Sequence, residues 1–147
     1  MPTIFVKLPR DTFKKDQLQA LGAAITEAAH KAEGIPDDPK HHILTSVVIE
    51  EISPELFFVA GQAVVPHRIP VIVVVHPPQG VLDADRWGIL AKEVNSAVRR
   101  LAGELADRLT VSCIPIDVPE GSWGGNGEIW TLEKISAVAG YTHKPQL

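Results

Sequence analysis

The sequence contains one pattern twice, and this repetition constrains the fold more than any other feature. Each copy begins with an apolar strand introduced by proline, at residues 2–8 and again at residues 70–75. Each strand leads through a polar turn to apolar residues spaced three or four apart, which is the period of an amphipathic helix. A second apolar strand closes each copy, at residues 43–51 and 109–117. Strand, helix and strand in this order predict parallel strand pairs joined by right-handed crossovers.

The segments that follow the two closing strands also match. An acidic residue, an aromatic residue and a glycine recur there at one fixed offset. The matched pairs are Glu51 with Asp117, Phe57 with Trp123, and Gly61 with Gly127. We therefore predict a single domain over residues 1–147, built of two βαβ units at about 2–66 and 70–130 and followed by a tail at 131–147.

The two units predict an α+β fold with one four-stranded mixed sheet and both helices on the same face. The uninterrupted apolar run at 71–75 is typical of a strand that is buried on both faces. Because two helices cover one face only, we expect the other face to promote self-association. Asp11 or Thr12 is predicted to cap the first helix and Asp83 the second, and Gly34 to end the first.

Composition excludes several classes of function. The formal net charge of −4 provides no basic field for nucleic acid, and no apolar run approaches the roughly 20 residues of a membrane span. Cys113 is the only cysteine, so no internal disulfide can form. This cysteine content and the lack of a signal-peptide pattern at the start favour a cytoplasmic location. The His41-His42 pair near Asp37-Asp38 is interpreted as a solvated loop, so no metal site is predicted.

Pro2 is the principal candidate for chemistry. It follows Met1 directly, and because proline is a small second residue we expect an aminopeptidase to remove Met1. The exposed nitrogen would be a secondary amine held rigidly by the strand. An ordinary α-amino group has a pKa of about 7.7–8, and an apolar pocket or a nearby cation lowers such a value. A neutral amine at pH 7 can act as a general base. The alternative is an ordinary Met-Pro start with no chemical role.

These features resemble the tautomerase superfamily, whose units begin with a catalytic N-terminal proline on a βαβ fold. The resemblance covers residues 2–130. The second unit is similar to 4-oxalocrotonate tautomerase through the string Ser-Trp-Gly-Gly-Asn-Gly-Glu at 122–128, and the fused two-unit length is similar to the cis-3-chloroacrylate dehalogenase group. The resemblance implies a homotrimer in which the uncovered sheet faces form a central barrel, and it implies no cofactor and no metal.

The resemblance also assigns candidate catalytic residues. Pro2 matches the catalytic base, whereas Pro70 matches the same position in the second unit but has a non-basic amide nitrogen, so one site per chain is expected. Trp123 falls where the family has an aromatic wall of the site, or it is a core or interface tryptophan. Glu128 resembles the glutamate that activates water in the dehalogenase group, although simpler tautomerases have a glutamate there without a catalytic role.

Candidate substrate-binding residues follow in the same way. His30 is close to a family histidine that binds substrate, but one extra residue rotates it about 100° around the helix, so a solvated histidine is the alternative. Arg10 is the best replacement for a carboxylate-binding arginine, since a planar guanidinium matches a carboxylate. It is also the first candidate for a catalytic residue that stabilises the developing enolate oxygen; the alternative is a solvated turn residue. The arginine pair of the dehalogenase group aligns with residues 77–82, which contain no cation. Arg68 is the candidate that would supply charge to the pocket of a neighbouring subunit instead, and His76 completes the set.

The leading functional hypothesis is a cofactor-independent tautomerase, an isomerase in which Pro2 moves a proton within small unsaturated 2-keto acids or aryl enols. A second hypothesis keeps Pro2 protonated, as a general acid in hydratase, dehalogenase or decarboxylase chemistry on 3-carbon acids. A third is a ligand-binding homologue with only residual activity. The small-molecule substrate is the only partner predicted besides further copies of the chain.

Overall fold

The chain forms a central sheet, two long helices, a short third helix and two small hairpins. The computed structural model describes residues 2–145; Met1 and residues 146–147, which belong to the predicted domain, lie outside the described residues. The strands in that part of the chain are β1 Thr3–Pro9, β2 Ser46–Ile52, β3 Phe58–Val59, β4 Gln62–Ala63, β5 Ile69–His76, β6 Leu109–Pro115, β7 Gly124–Gly125 and β8 Glu128–Ile129. The α-helices are α1 Lys15–Glu33, α2 Ala84–Ala102 and α3 Leu132–Ala139. Within residues 2–145 no helix is long and apolar enough to cross a membrane.

The central sheet has four strands in the order β2-β1-β5-β6. β1 and β2 are parallel, with Thr3 opposite Ser46, and β5 and β6 are parallel as well. The two units meet through the antiparallel pair β1 and β5, in which Thr3 lies opposite His76. A helix of 19 residues connects the strands of each parallel pair. The predicted four-stranded mixed sheet of two βαβ units is therefore confirmed.

The core lies between the sheet and the two long helices, which pack on one face. Alternate residues of β1 and β5 are buried there, as period-2 strand geometry requires, together with the apolar stripes of α1 and α2. The innermost of these residues are Ile4, Val6, Leu8, Val71, Val73, Val75, Leu21, Ile25, Leu90, Val94 and Val98. The apolar spacing in the sequence thus identified the buried faces correctly.

The other face of the sheet carries apolar residues that no described element of the chain covers. Val71, Val73 and Val75 point toward the helices, whereas Ile72 and Val74 point away from them and are only half-buried. The prediction that the run at 71–75 is buried on both faces is therefore wrong for a single chain, because the chain contributes one helical layer only. Other apolar side chains that the outer strands expose include Val48, at 44 %, and Ile114, at 46 %.

The predicted helix caps are only partly correct. Asp83 accepts a hydrogen bond from the backbone N–H three residues later, at 2.9 Å, and Gly34 ends α1 with φ of 67°. Asp11 and Thr12 do not cap α1, whose N-cap is Lys14. The reason is a tight turn after β1, in which Asp11 has φ of 64° and the Thr12 hydroxyl donates to the carbonyl three residues earlier, at 2.6 Å.

The repeat extends to the two small hairpins. β3 and β4 are joined by Ala60-Gly61, and β7 and β8 by Asn126-Gly127. All four turn residues have positive φ, at 50° and 75° in the first hairpin and 51° and 83° in the second. Positive φ at both central positions is the requirement of a type I′ turn, which matches the twist of paired strands. The fixed glycine offset in the sequence therefore marks equivalent turns.

The C-terminal segment folds back onto the first unit. Leu132, Ile135 and Ala139 of α3 are buried, and after this helix the backbone N–H of Thr142 donates to the carbonyl of Gly34 at 2.7 Å. The described part of the tail, residues 131–145, therefore packs on its own chain.

The Ala60 turn provides a test of the repeat. Left-handed backbone is unfavourable for alanine by about 1–2 kcal/mol and is better tolerated by asparagine, which the second unit has at the equivalent position. We expect Ala60→Asn to increase the free energy of unfolding by about 0.5–1 kcal/mol and Asn126→Ala to decrease it similarly. Urea unfolding measures both, and a loss of stability in Ala60→Asn would contradict the equivalence.

Candidate active site

Pro2 is buried directly before β1, an inner strand of the central sheet. Its carbonyl accepts a hydrogen bond from the backbone N–H of Ser46 at 3.2 Å, which extends the β1–β2 ladder by one residue. Because side chains alternate along a strand, the Pro2 ring lies on the same side as Ile4, toward the helices. Pro2 is therefore held by backbone pairing and is not free in solvent.

A pair of histidines lies beside this end of β1. The Nε2 atom of His30, in the last turn of α1, is 2.9 Å from the hydroxyl of Thr45, and Thr45 directly precedes the Ser46 that binds Pro2. The His30 ring is also 4.3 Å from the ring of His42. Since His30 is only 8 % exposed, the alternative of a solvated helix histidine is wrong.

Burial determines the charge of His30. It lowers the pKa of the ring from 6.5 to about 4, with further lowering by His42 and by the amino terminus, while Asp37 acts in the opposite direction. The ring is consequently neutral at pH 7, so it can accept or donate one hydrogen bond at each nitrogen without adding positive charge. His42 is fixed by its Nε2–H, which donates to the carbonyl of Pro36 at 2.9 Å.

A buried carboxyl group lies one helical turn beyond His30. Glu33 is 1 % exposed, and burial raises its pKa, whereas the amino terminus, the Tyr141 hydroxyl and His143 lower it. Tyr141 follows α3, and its pKa is raised by burial and by the charge of Glu33, to which it is hydrogen-bonded. The Glu33 carboxyl and the Tyr141 hydroxyl therefore form a hydrogen-bonded pair at the end of α1.

A half-open cavity of about 530 Å³ runs along the outer side of α1 next to the histidine pair. His30 and His42 form part of its wall, and Glu27, Lys31 and Asp37 supply charges. Lys31 Nζ lies 2.6 Å from a carboxylate oxygen of Glu93 on α2, so this cation is already paired. The cavity is large enough for a small carboxylic acid.

Trp123 and His76 are brought together in a different place. They line a shallow hollow of about 310 Å³ on the uncovered sheet face, along with Thr3 and Phe5. The ring of His76 packs edge-on against Phe5, with centroids 5.9 Å apart. Thr3 directly follows Pro2, so this hollow and Pro2 share one end of the sheet but lie on opposite faces of β1.

Arg10 and Arg68 lie away from Pro2 within one chain. Arg10 follows the far end of β1, roughly 26 Å from Pro2 at about 3.3 Å per residue, and the antiparallel register places the start of β5, next to Arg68, at that same end. Glu128 is 73 % exposed, with an oxygen 3.8 Å from Lys134 Nζ. Arg10, Arg68 and Glu128 line neither the cavity beside the histidine pair nor the hollow that contains Trp123.

Sequence reasoning missed Glu33, Thr45 and His42 as members of the site. A signal for Glu33 is present, because it occupies an apolar-stripe position of α1, four residues after Ala29 and directly before the glycine that ends the helix. Thr45 carries no such signal, since its position depends on the register of β2. Residues 2–145 contain no cluster of three His, Cys, Asp or Glu side chains that could hold a metal ion.

The sequence of the first unit matches one protein family. Residues 2–65 match the family model Tautomerase, described as a tautomerase enzyme. No curated protein matches the sequence. The resemblance to the tautomerase superfamily that the sequence predicts is confirmed by this match, which covers the first unit, and by the solved structures that share the fold.

Three solved structures illustrate that shared fold. Q0 fused 4-OT, described as a symmetric trimer, is 20 % identical with a TM-score of 0.71, over 86 % of this chain and 94 % of that chain. Pt0534, solved after inactivation by 2-oxo-3-pentynoate, is 16 % identical with a TM-score of 0.71 over the same shares. N1, a member of the cis-3-chloroacrylic acid dehalogenase family, is 14 % identical with a TM-score of 0.64, over 86 % of this chain and 82 % of that chain. At these identities the likeness shows the fold alone.

The pKa of His30 gives a prediction for stability. The unfolded chain binds a proton at this ring near pH 6.5, whereas the folded chain binds it near pH 4. The neutral ring therefore makes its full contribution to the free energy of unfolding above pH 6.5, and this contribution is lost as the pH falls toward 4. We expect a loss of about 2 kcal/mol in this window, measured by urea unfolding at pH 7 and pH 4.5. His30→Gln should flatten this dependence, and the exposed control His67→Gln should not. Identical slopes in wild type and His30→Gln would refute the assignment.

Proposed function

We propose that this protein is a cofactor-independent isomerase of the tautomerase type, in which the Pro2 amine, freed by removal of Met1, transfers a proton between carbon and oxygen. The observation that carries the proposal is the buried position of Pro2, fixed by its hydrogen bond to Ser46. A base must be both positioned and deprotonated to work. The strand supplies the position, and an apolar surrounding disfavours the charged amine.

In this proposal Pro2 removes a proton from an enol or from a carbon next to a carbonyl and returns it to a neighbouring carbon. Neutral His30 is suited to hydrogen-bond the developing enolate oxygen, because it lies beside Thr45 at the same end of β1. Trp123 and His76 would form the wall on the other side of β1. Substrates are proposed to be small unsaturated 2-keto acids or aryl enols.

We also propose assembly as a homotrimer through the uncovered sheet face. Two observations support this: apolar side chains such as Val48 and Ile114 are exposed there, and fused 4-OT structures with the same fold are described as trimers. In such an assembly Arg10 and Arg68 of one chain would serve the site of another, since within a chain they lie far from Pro2. They would then supply the fork of donors that binds a carboxylate.

Covalent labelling tests the role of Pro2. Pt0534 is inactivated by 2-oxo-3-pentynoate, an acetylenic 2-keto acid that a neutral amine can attack. We expect this reagent to add to Pro2 here, as located by peptide mass spectrometry, and to abolish ketonisation of phenylenolpyruvate. Pro2→Ala should reduce kcat/KM by about a hundredfold or more.

Pro70→Ala is the matched control, because Pro70 introduces the equivalent strand of the second unit but has no free amine. It should retain activity and labelling. Equal rates for wild type and Pro2→Ala would remove Pro2 from the mechanism. Binding of phenylenolpyruvate without turnover in the wild type would instead support a ligand-binding protein.

A second candidate function is supported by Glu33. A buried carboxylate near the amino end favours a protonated amine, which would suit a general acid in dehalogenase, hydratase or decarboxylase chemistry. Glu128, the water activator expected from the resemblance, is exposed and lies near Lys134.

Two assays on the same preparation separate the candidates. For the base mechanism we expect ketonisation of phenylenolpyruvate to exceed chloride release from 3-chloroacrylate by at least a hundredfold in kcat/KM, on the scale of one general-base contribution. Both activities should depend on Pro2. Faster chloride release would contradict the base mechanism and favour the general acid.

A further inference from the structure

The cavity beside the histidine pair shares only His30 with the proposed proton transfer. Its volume is about 530 Å³, and in the described part of the chain Pro2 is not one of the residues that line it. A half-open cavity of this volume falls within the usual range of small-molecule sites, about 300–1,000 Å³. The groups on its wall therefore decide which ligand it takes.

The inner wall of the cavity consists of rings and apolar side chains. Ile35, just after the glycine that ends α1, is 8 % exposed and lines the cavity. The rings of His30 and His42 contact each other with their planes tilted by 36°. Ala23 of α1 contributes only a methyl group. Surfaces of this kind bind the apolar part of a ligand, because that part is then removed from water.

His30 also has a hydrogen-bonding atom available on this wall. Its Nε2 atom is 2.9 Å from the Thr45 hydroxyl, whereas its Nδ1 atom has no hydrogen-bond partner among residues 2–145 and is not fully enclosed. The side chain as a whole is 8 % exposed and lines the cavity. Since buried polar atoms are nearly always hydrogen-bonded, this nitrogen indicates a partner that enters from the cavity.

The charged groups at the rim favour a positively charged ligand. Glu27, three residues before His30, and Asp37 both line the cavity, and neither carboxylate has an ion-pair partner within residues 2–145. Lys31, the lysine on the same rim, is paired with Glu93 at 2.6 Å. The cavity also lies at the carboxyl-terminal end of α1, where the helix dipole favours positive charge. A carboxylic acid would fit by size, but it would face two carboxylates.

A metal ion does not fit this arrangement of groups. Residues 2–145 contain no group of three His, Cys, Asp or Glu side chains that could hold one. The carboxylates and the histidine pair therefore do not converge on a single point. A cation with a molecular body can contact both the rim and the inner wall, which a single small ion cannot.

We propose that this cavity is a second ligand site, which binds a small primary amine with an aromatic or short apolar body. The ammonium group lies between Glu27 and Asp37, where charge-assisted hydrogen bonds replace their contacts with solvent. The body packs against Ile35 and the ring of His42. The site needs no group from Pro2, so it does not depend on the proposed function.

His30 orients the bound amine. Its Nδ1 atom accepts one N–H of the ammonium group, and its Nε2–H then donates to the Thr45 hydroxyl, because a neutral imidazole has one donor and one acceptor nitrogen. A benzoate anion of similar size cannot donate to this nitrogen and is repelled at the rim. The site therefore selects by charge and by hydrogen-bond direction together.

Three probes with the same ring and different charges test the ligand class, namely benzylammonium, benzyl alcohol and benzoate. Each is titrated into the full chain near pH 7 at low salt, and binding is followed by NMR. We expect benzylammonium to bind at least about tenfold more tightly than benzoate, because two exposed carboxylates attract one and repel the other. The ring ¹⁵N resonances of His30 and His42 should shift as it binds, and benzyl alcohol should be intermediate in affinity.

Ala23→Leu tests the location, because the larger side chain fills part of the cavity. It should weaken benzylammonium binding by about tenfold. Ala20→Leu, the same change one turn earlier at an exposed position of α1 that does not line the cavity, should bind like the wild type. Glu27→Gln combined with Asp37→Asn should reduce the preference over benzoate to about threefold or less.

Equal affinities of the wild type for benzoate and benzylammonium would overturn the ligand class. Absence of benzylammonium binding, or equal binding by the wild type and Ala23→Leu, would overturn the site itself. Pro2→Ala should bind benzylammonium as the wild type does, whatever its rate of ketonisation, because Pro2 does not line the cavity. Binding and ketonisation are measured separately, so the failure of one proposal is distinguishable from the failure of the other.

Discussion

β1 is paired on both sides, with β2 and with β5, and this double pairing is the constraint from which the rest of the site follows. A first strand at the edge of a sheet would leave the amino end free to fray. Here the ladder continues to Pro2, whose carbonyl is bound by Ser46. The strand thus places Pro2 at a defined position beside the end of α1, where a terminal amine can have a fixed set of neighbours.

Those neighbours are contributed by parts of the chain that are far apart in sequence. His30 and Glu33 come from the last turn of α1, Thr45 from the loop directly before β2, and Tyr141 from the segment after α3. Burial lowers the pKa of His30 and raises that of Glu33, so the protein interior sets the charge of both groups. This arrangement gives the chain the means to set the proton affinity of a single nitrogen, which is the requirement of the proposed chemistry.

The repeat made most of the fold predictable. Strand order within each unit, the helical faces and the matched glycine turns all follow from local periodicity, which depends on residues close in sequence. Fewer of the site residues could be predicted from the sequence. Pro2 was recognised from its position after Met1, and His30 from the resemblance to a known family. The roles of Thr45 and Tyr141 depend on strand register and on the path of the tail, which no local pattern encodes. Arg10 and Arg68 were expected at the site, but they lie at the other end of the sheet, because β1 separates them from Pro2 by its full length.

The central claim is that the chain presents a free prolyl amine, enclosed by the fold, as its proton-transfer group. The most direct measurement is the intact mass of the protein purified in its native state. The account predicts a mass equal to that of the sequence without Met1, in every molecule that is catalytically active. An active protein whose mass includes Met1 would contradict it, because the Pro2 nitrogen would then be an amide with no basic lone pair.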